Sequence, residues 1–102
     1  MNADKNRWLV SPNVRSSYAE DSALLLDVKK GLSYRLNVLG VQVWVAIEQS
    51  PGGITLKGIV DVLETRFSVP RKQLESDTAD CLDKLRELGL VQKEKNKAAN
   101  GG

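Results

Sequence analysis

The chain has 102 residues, enough for one domain with a real core and a thin stability margin. Its 41% hydrophobic and 27% charged residues make an ordinary globular mix, and no apolar run suits a bilayer span or a signal peptide, so the expected location is the cytoplasm. The net charge of +2 names no partner, the lack of any histidine removes the usual general base and commonest metal ligand, and one cysteine, Cys81, allows neither an internal disulfide nor a cysteine cluster for zinc or iron–sulfur.

The first half predicts strands. Trp8-Leu9-Val10 is a short apolar run closed by Ser11-Pro12, with Trp8 expected over the sheet edge or the helix base. Val14 to Tyr18 is a candidate strand with small polar residues on one side. Ala23 to Val28 carries the strongest strand signal in the chain. Lys29-Lys30-Gly31 supplies a three-residue turn, with Gly31 suited to positive φ. Leu32 to Leu36 then alternates: Leu32, Tyr34 and Leu36 point one way, Ser33 and Arg35 the other.

The second half predicts helices. Asn37 is a good N-cap for Val38 to Gln49, which sets Val41, Trp44, Val45 and Ile47 or Glu48 at helical spacing. That valine-rich run suits a strand by propensity, but its length and cap favour helix. Ser50-Pro51-Gly52-Gly53 ends it. Thr55 caps a second helix with Leu56, Ile59, Val60, Leu63 and Phe67 on one face. A third helix runs from about Arg71 to Leu88, with Leu74, Thr78, Cys81, Leu82, Leu85 and Leu88 inward. Gly89 is placed as its C′ residue, and Leu90-Val91 packs back as an apolar clasp. The expected fold is α+β, of winged-helix type: a three-stranded antiparallel sheet followed by three helices. Residues 1–92 form the domain, and 93–102 read as a flexible tail.

No motif supports catalysis. Gly52-Gly53 is a linker pair and no phosphate loop, and without histidine no Ser-His-Asp constellation can form. Asp77, Asp80 and Asp83 precess around helix 3 instead of converging on a metal. Cys81 on an inner helix face reads as a small core residue before it reads as a nucleophile. DNA binding, a common winged-helix role, wants a basic recognition helix. Helix 3 instead carries Arg71, Lys72, Lys84 and Arg86 against Glu75, Asp77, Asp80, Asp83 and Glu87, four positives against five negatives. DNA binding therefore ranks below protein binding, and a small enzyme ranks third.

The sequence does offer an edge. Leu32 to Leu36 has no proline and no evident bulge to blunt it, so at a sheet edge it could accept an extended peptide by strand addition. Helix 3 could supply a pocket wall. Leu74, Thr78, Cys81 and Leu85 point into the body, and Asp77, Cys81, Lys84 and Leu88 run along one margin. As plain surface or as a groove, that margin is an even choice from the residues alone. A proline at Tyr34 or Arg35, whichever amide faces outward, should abolish such binding.

One resemblance tilts the choice. The run Leu24-Leu25-Leu26-Asp27-Val28-Lys29-Lys30-Gly31-Leu32-Ser33-Tyr34-Arg35-Leu36-Asn37 resembles the hairpin of PqqD-like domains, the precursor-peptide recognition elements of ribosomal peptide-modification pathways. Asp77, Leu82, Leu85, Gly89, Leu90 and Val91 are similar to the family's closing pattern, and Trp44 stands where it has a bulky apolar residue. Thr78, where an apolar residue is usual, and Gly58 inside helix 2 depart from it. The resemblance implies three strands then three helices, with no cofactor. It also implies a peptide leader added beside the third strand, in a cleft shared with the third helix. That carries over to Leu32, Ser33, Tyr34, Arg35 and Leu36, with Leu74, Asp77, Cys81 and Lys84 taken from the helical wheel. Domains of this kind occur fused to enzymes or free-standing; with no enzyme attached, this chain is expected to be a free-standing accessory protein, most similar to those of lasso-peptide clusters. The partners would then be a leader peptidase and an ATP-dependent cyclase, or, as peptide chaperone, a radical-SAM enzyme; neither nucleic acid nor membrane is expected.

Overall fold

Alternation of apolar and polar residues builds the centre of the molecule. In the computed structural model, which describes residues 6–20 and 22–94, Ala23–Asp27 is a strand whose odd positions are buried and whose even positions face out. This strand is β3, counting β1 as Arg7–Val10 and β2 as Val14–Tyr18; β4 is Leu32–Leu36. The helices are α1 (Val38–Glu48), α2 (Leu56–Glu64) and α3 (Arg71–Glu87), followed by β5 (Val91–Glu94). The three-stranded antiparallel sheet has the order β2-β3-β4, with Leu25 opposite both Ser16 and Tyr34. The α+β architecture expected from the sequence is the observed one.

Four details differ. Strand β3 stops at Asp27, so the connection to β4 has four residues instead of three. Asp27 causes this: its Oδ1 accepts from the backbone amides of Lys29 and Lys30, at 3.0 and 3.1 Å, and starts the turn one residue early. Gly31 closes the turn at φ 70°. Second, α1 buries Val43 with Trp44, Ala46 and Ile47, while Val41 and Val45 are half-buried. It lies between the sheet and the other helices, so its apolar register is broad.

Third, Trp8 covers no edge of the main sheet. It is buried in β1, which pairs with β5 in a separate two-stranded sheet. Its backbone also exchanges hydrogen bonds with Ile54, and the Lys93 ammonium lies 5.4 Å from its ring centre. Ser11 Oγ donates to the Gly89 carbonyl at 2.8 Å, and Ser11 N–H donates to the Leu90 carbonyl at 3.0 Å. Fourth, β5 carries the chain to Glu94, two residues past the boundary expected at 92. Of the expected tail, residues 95–102 lie outside the described residues.

Asn37 and Thr55 cap α1 and α2 as expected, accepting from Gly40 and Gly58 amides at 2.8 and 3.1 Å. Arg71 ties α3 to α2, reaching Asp61 at 2.9 Å and Glu64 at 2.8 Å. Gly89 ends α3 at φ 78°, and Leu90 and Val91 are buried behind it.

Two buried polar groups have measurable consequences. The Thr78 hydroxyl is buried in the core face of α3 and has no hydrogen-bond partner among the described residues. Thr78→Val keeps the shape and removes that burden, so it should stabilise the fold by about 1 kcal/mol in urea denaturation. Asp27 is the contrasting case, because its Oδ1 gathers three donors: Asn13 Nδ2 also donates to it at 2.9 Å. The Lys30 amide first, then Asn13 and the Lys29 amide, hold its carboxyl below the ordinary value against the opposing effect of desolvation. Stability from this group is therefore present above the unfolded pKa, about 3.9, and is lost as pH falls through the lower folded value. Thermal midpoints should fall below about pH 4, and Asp27→Asn should flatten that decline while lowering the midpoint at neutral pH.

Candidate functional site

Hydrogen-bond phase decides which strand edge is free. In an antiparallel ladder each residue turns its N–H and C=O to the same neighbour, alternating along the strand. Val28 N–H bonds the Asn13 carbonyl and Ala19 N–H bonds the Ser22 carbonyl, both at 2.9 Å. With Val14 opposite Asp27, the even positions of β3 therefore bond β2 and the odd positions bond β4. The β4 partners of the odd positions are Leu32, Tyr34 and Leu36. Ser33 and Arg35 are left with both main-chain groups pointing away from the sheet. Among the described residues nothing pairs with that side of β4; β1, the segment able to block it, is committed to β5.

The open edge borders a cleft of about 700 Å³. On the β4 side it is lined by Ser33, Tyr34, Arg35 and Leu36, continuing through Asn37, Leu39 and Gly40 at the start of α1. The opposite wall is α3, with Asp77, Asp80, Cys81, Lys84, Leu85 and Leu88, and Leu90 closes the base. Burial of Leu74, Thr78, Leu82 and Leu85 fixes the rotation of α3. That rotation turns the Asp77–Cys81–Lys84–Leu88 margin toward β4.

Seven of the nine residues expected at the site thus meet: Ser33, Tyr34, Arg35, Leu36, Asp77, Cys81 and Lys84. Two do not. Leu74 is 2% exposed and belongs to the core, because it lies on the central inward face of α3 and not on its margin. Leu32 sits at the far, turn end of β4 and is 50% exposed outside the cleft. The expectation missed Asn37, Leu39 and Gly40, although the Asn37 cap already implied that the first turn of α1 must sit beside the end of β4. Asp80, considered there only as part of an acidic series that precesses around the helix, also lines the cleft.

The cleft is an apolar trough with charge on one rim. The ion pairs among the described residues involve Lys57, Asp61, Glu64, Arg71 and Glu75, so Asp77, Asp80 and Lys84 keep their charges unpaired. Burial pushes the Cys81 thiol up, which leaves it protonated and a poor nucleophile at neutral pH. Iodoacetamide should therefore label Cys81 more slowly than free cysteine at pH 7.5, and a segment seated in the cleft should slow it further. Mass spectrometry of timed samples reads both effects. Among the described residues no group of acids and cysteine could hold a metal, and no helix is long and apolar enough to cross a membrane.

Chemically, the arrangement can hold an extended chain by its backbone and seat alternate side chains in an apolar trough. Residues 22–91, which contain all of it, match the family described as Coenzyme PQQ synthesis protein D (PqqD). A solved structure of TbiB1 in complex with the TbiA(beta) leader peptide superposes with a TM-score of 0.74 at 28% identity, covering 82% of this chain and 94% of that one. A lasso peptide synthetase B1 complexed with the leader peptide gives 0.72 at 19% identity over 84% and 98%, a likeness of fold. No curated protein matches the chain.

Proposed function

The chain belongs to the PqqD family, and from that premise we propose that it binds the leader region of a ribosomally made precursor peptide as an added strand beside β4. The observation that carries this reading is the outward pair of Ser33 and Arg35 main-chain groups facing the α3 cleft. Backbone hydrogen bonds to that pair supply affinity that any extended peptide could use. Selectivity then comes from the trough: one or two apolar anchors against Tyr34, Leu39, Cys81 and Leu88, and charge set by Asp77, Asp80 and Lys84. The two similar structures, each described with a leader peptide bound, support the same choice of ligand.

The protein performs no bond chemistry in this reading. It raises the local concentration of the peptide at separate enzymes, a leader peptidase and a cyclase of a lasso-type pathway, in the cytoplasm. A short strand with two anchors suggests a small interface and a dissociation constant of order micromolar, about −8 kcal/mol. DNA is a poor rival ligand, since Asp77, Asp80, Asp83 and Glu87 would oppose phosphate along α3.

Titration of ¹⁵N-labelled protein with leader peptides of precursors encoded beside its gene, and with the TbiA(beta) leader as a relative's ligand, tests the reading. Amide shifts should concentrate at Ser33, Arg35 and the inward margin of α3. Saturable shifts confined to β2 or α2, or none with any leader, would overturn it.

A further inference from the structure

We infer that the outer face of the β2-β3-β4 sheet is a second docking surface, taken by a partner protein bearing an apolar patch with carboxylates around it. The inner face of this sheet is spent on the core. The outer face of a one-sided antiparallel sheet is ordinarily polar. Here β3 instead shows Leu24 and Leu26, exposed by 45% and 39%, and Val28 follows at the start of the turn, exposed by 48%. The register places Leu24 between Ser17 and Arg35, and Leu26 between Arg15 and Ser33. Two leucine side chains therefore sit side by side with a guanidinium at two opposite corners and no carboxylate among those neighbours. Neither Arg15 nor Arg35 has an ion-pair partner among the described residues. A hollow of about 140 Å³ beside Leu24 and Arg35, lined also by Ser17 and Tyr18, has room for one incoming side chain.

Charge selects the occupant. A second copy stacked on this face would meet the same arginine-cornered surface, cation against cation. Nucleic acid would satisfy the arginines but press its phosphates onto bare aliphatic groups. A protein with acidic groups around an apolar centre satisfies both. Contiguous apolar surface of this kind marks interaction sites, and interfaces rely on a few buried anchors.

Resting on the leader reading, the partner is one of the enzymes that modify the same peptide. A strand added at β4 extends this sheet, so its alternate side chains continue the outer face beside Ser33 and Arg35. An enzyme seated there would touch both the domain and its cargo. The cleft side chains lie on the other side of the sheet and stay free.

The test pairs two measurements on one variant, Leu24→Ser with Leu26→Ser. Both side chains point outward, so the amide spectrum should stay native; Arg15→Glu serves as a second variant. Isothermal titration against each peptide-modifying enzyme encoded beside the gene reads docking, and anisotropy of a labelled leader peptide reads the cleft. Enzyme binding should weaken at least about tenfold in either variant, with leader affinity kept within about twofold, and raising salt should weaken the parent's docking further. Unchanged enzyme binding by a folded variant overturns the proposal. So does failure of every encoded enzyme to bind the parent protein, or a parent dimer that the double variant dissolves. If enzymes dock and no leader binds, the leader reading falls and the docking surface stands without it.

Discussion

Arg35→Pro is expected to abolish leader binding, weakening it by at least about 100-fold, while the domain stays folded. The side chain is not the reason. Arg35 N–H points out of the sheet, so proline there removes no bond from the β3–β4 ladder. Edge positions of this kind are where strands tolerate proline, and the preceding Tyr34 is already extended, as a residue before proline prefers. Binding suffers twice. The donor for the incoming strand is gone, which leaves a peptide carbonyl unpaired at a cost of roughly 1–3 kcal/mol. The proline ring also occupies the path along which that strand approaches. Tyr34→Pro is the internal contrast: its N–H bonds β3, so it should damage the sheet itself. Arg35→Ala removes the guanidinium and keeps the amide, and should cost far less than proline. Native amide spectra for Arg35→Pro together with parent-like affinity would remove strand addition from consideration.

The phase that separates Arg35 from Tyr34 was not legible in the sequence, and the reason is physical. Side-chain alternation follows from local period, so the faces of β3 and β4 could be read from Leu24 through Leu36. Which residues aim their amides outward depends on bonds such as Val28 to Asn13, made with a strand whose register the sequence leaves open. Helix caps and stops, at Asn37, Thr55 and Gly89, were legible because each is a local chemical event. The β1–β5 pair was not. Val91 reads as part of an apolar clasp and Lys93-Glu94 as tail; the run becomes a strand only because Arg7 to Val10 lies against it. Leu74 shows the limit of a helical wheel. The wheel separates inside from outside, yet a cleft borders the margin between them, where Asp77, Cys81 and Leu88 are half-buried and Lys84 is exposed.

Cys81 sits at the middle of that margin, and Cys81→Trp should weaken leader binding by about two orders of magnitude by a route independent of the edge. The thiol is half-buried and faces the cleft from α3, opposite β4. An indole in its place can grow only toward the open trough, because Leu82 and Leu85 already fill the inward side. It would take the volume that a leader anchor needs. Burying one aliphatic anchor stabilises a complex by about 1.5–3 kcal/mol, so losing two gives an effect of that size or larger. Cys81→Ala leaves the trough open, removes a group that is protonated and uncharged at neutral pH, and should bind as the parent does. The two routes separate the sources of affinity: proline at Arg35 removes backbone pairing with the trough intact, and tryptophan at Cys81 fills the trough with the backbone intact. If both lose binding, strand and anchors act together. If only tryptophan does, the peptide lies in the cleft without joining the sheet, and the register derived for β4 has no part in recognition.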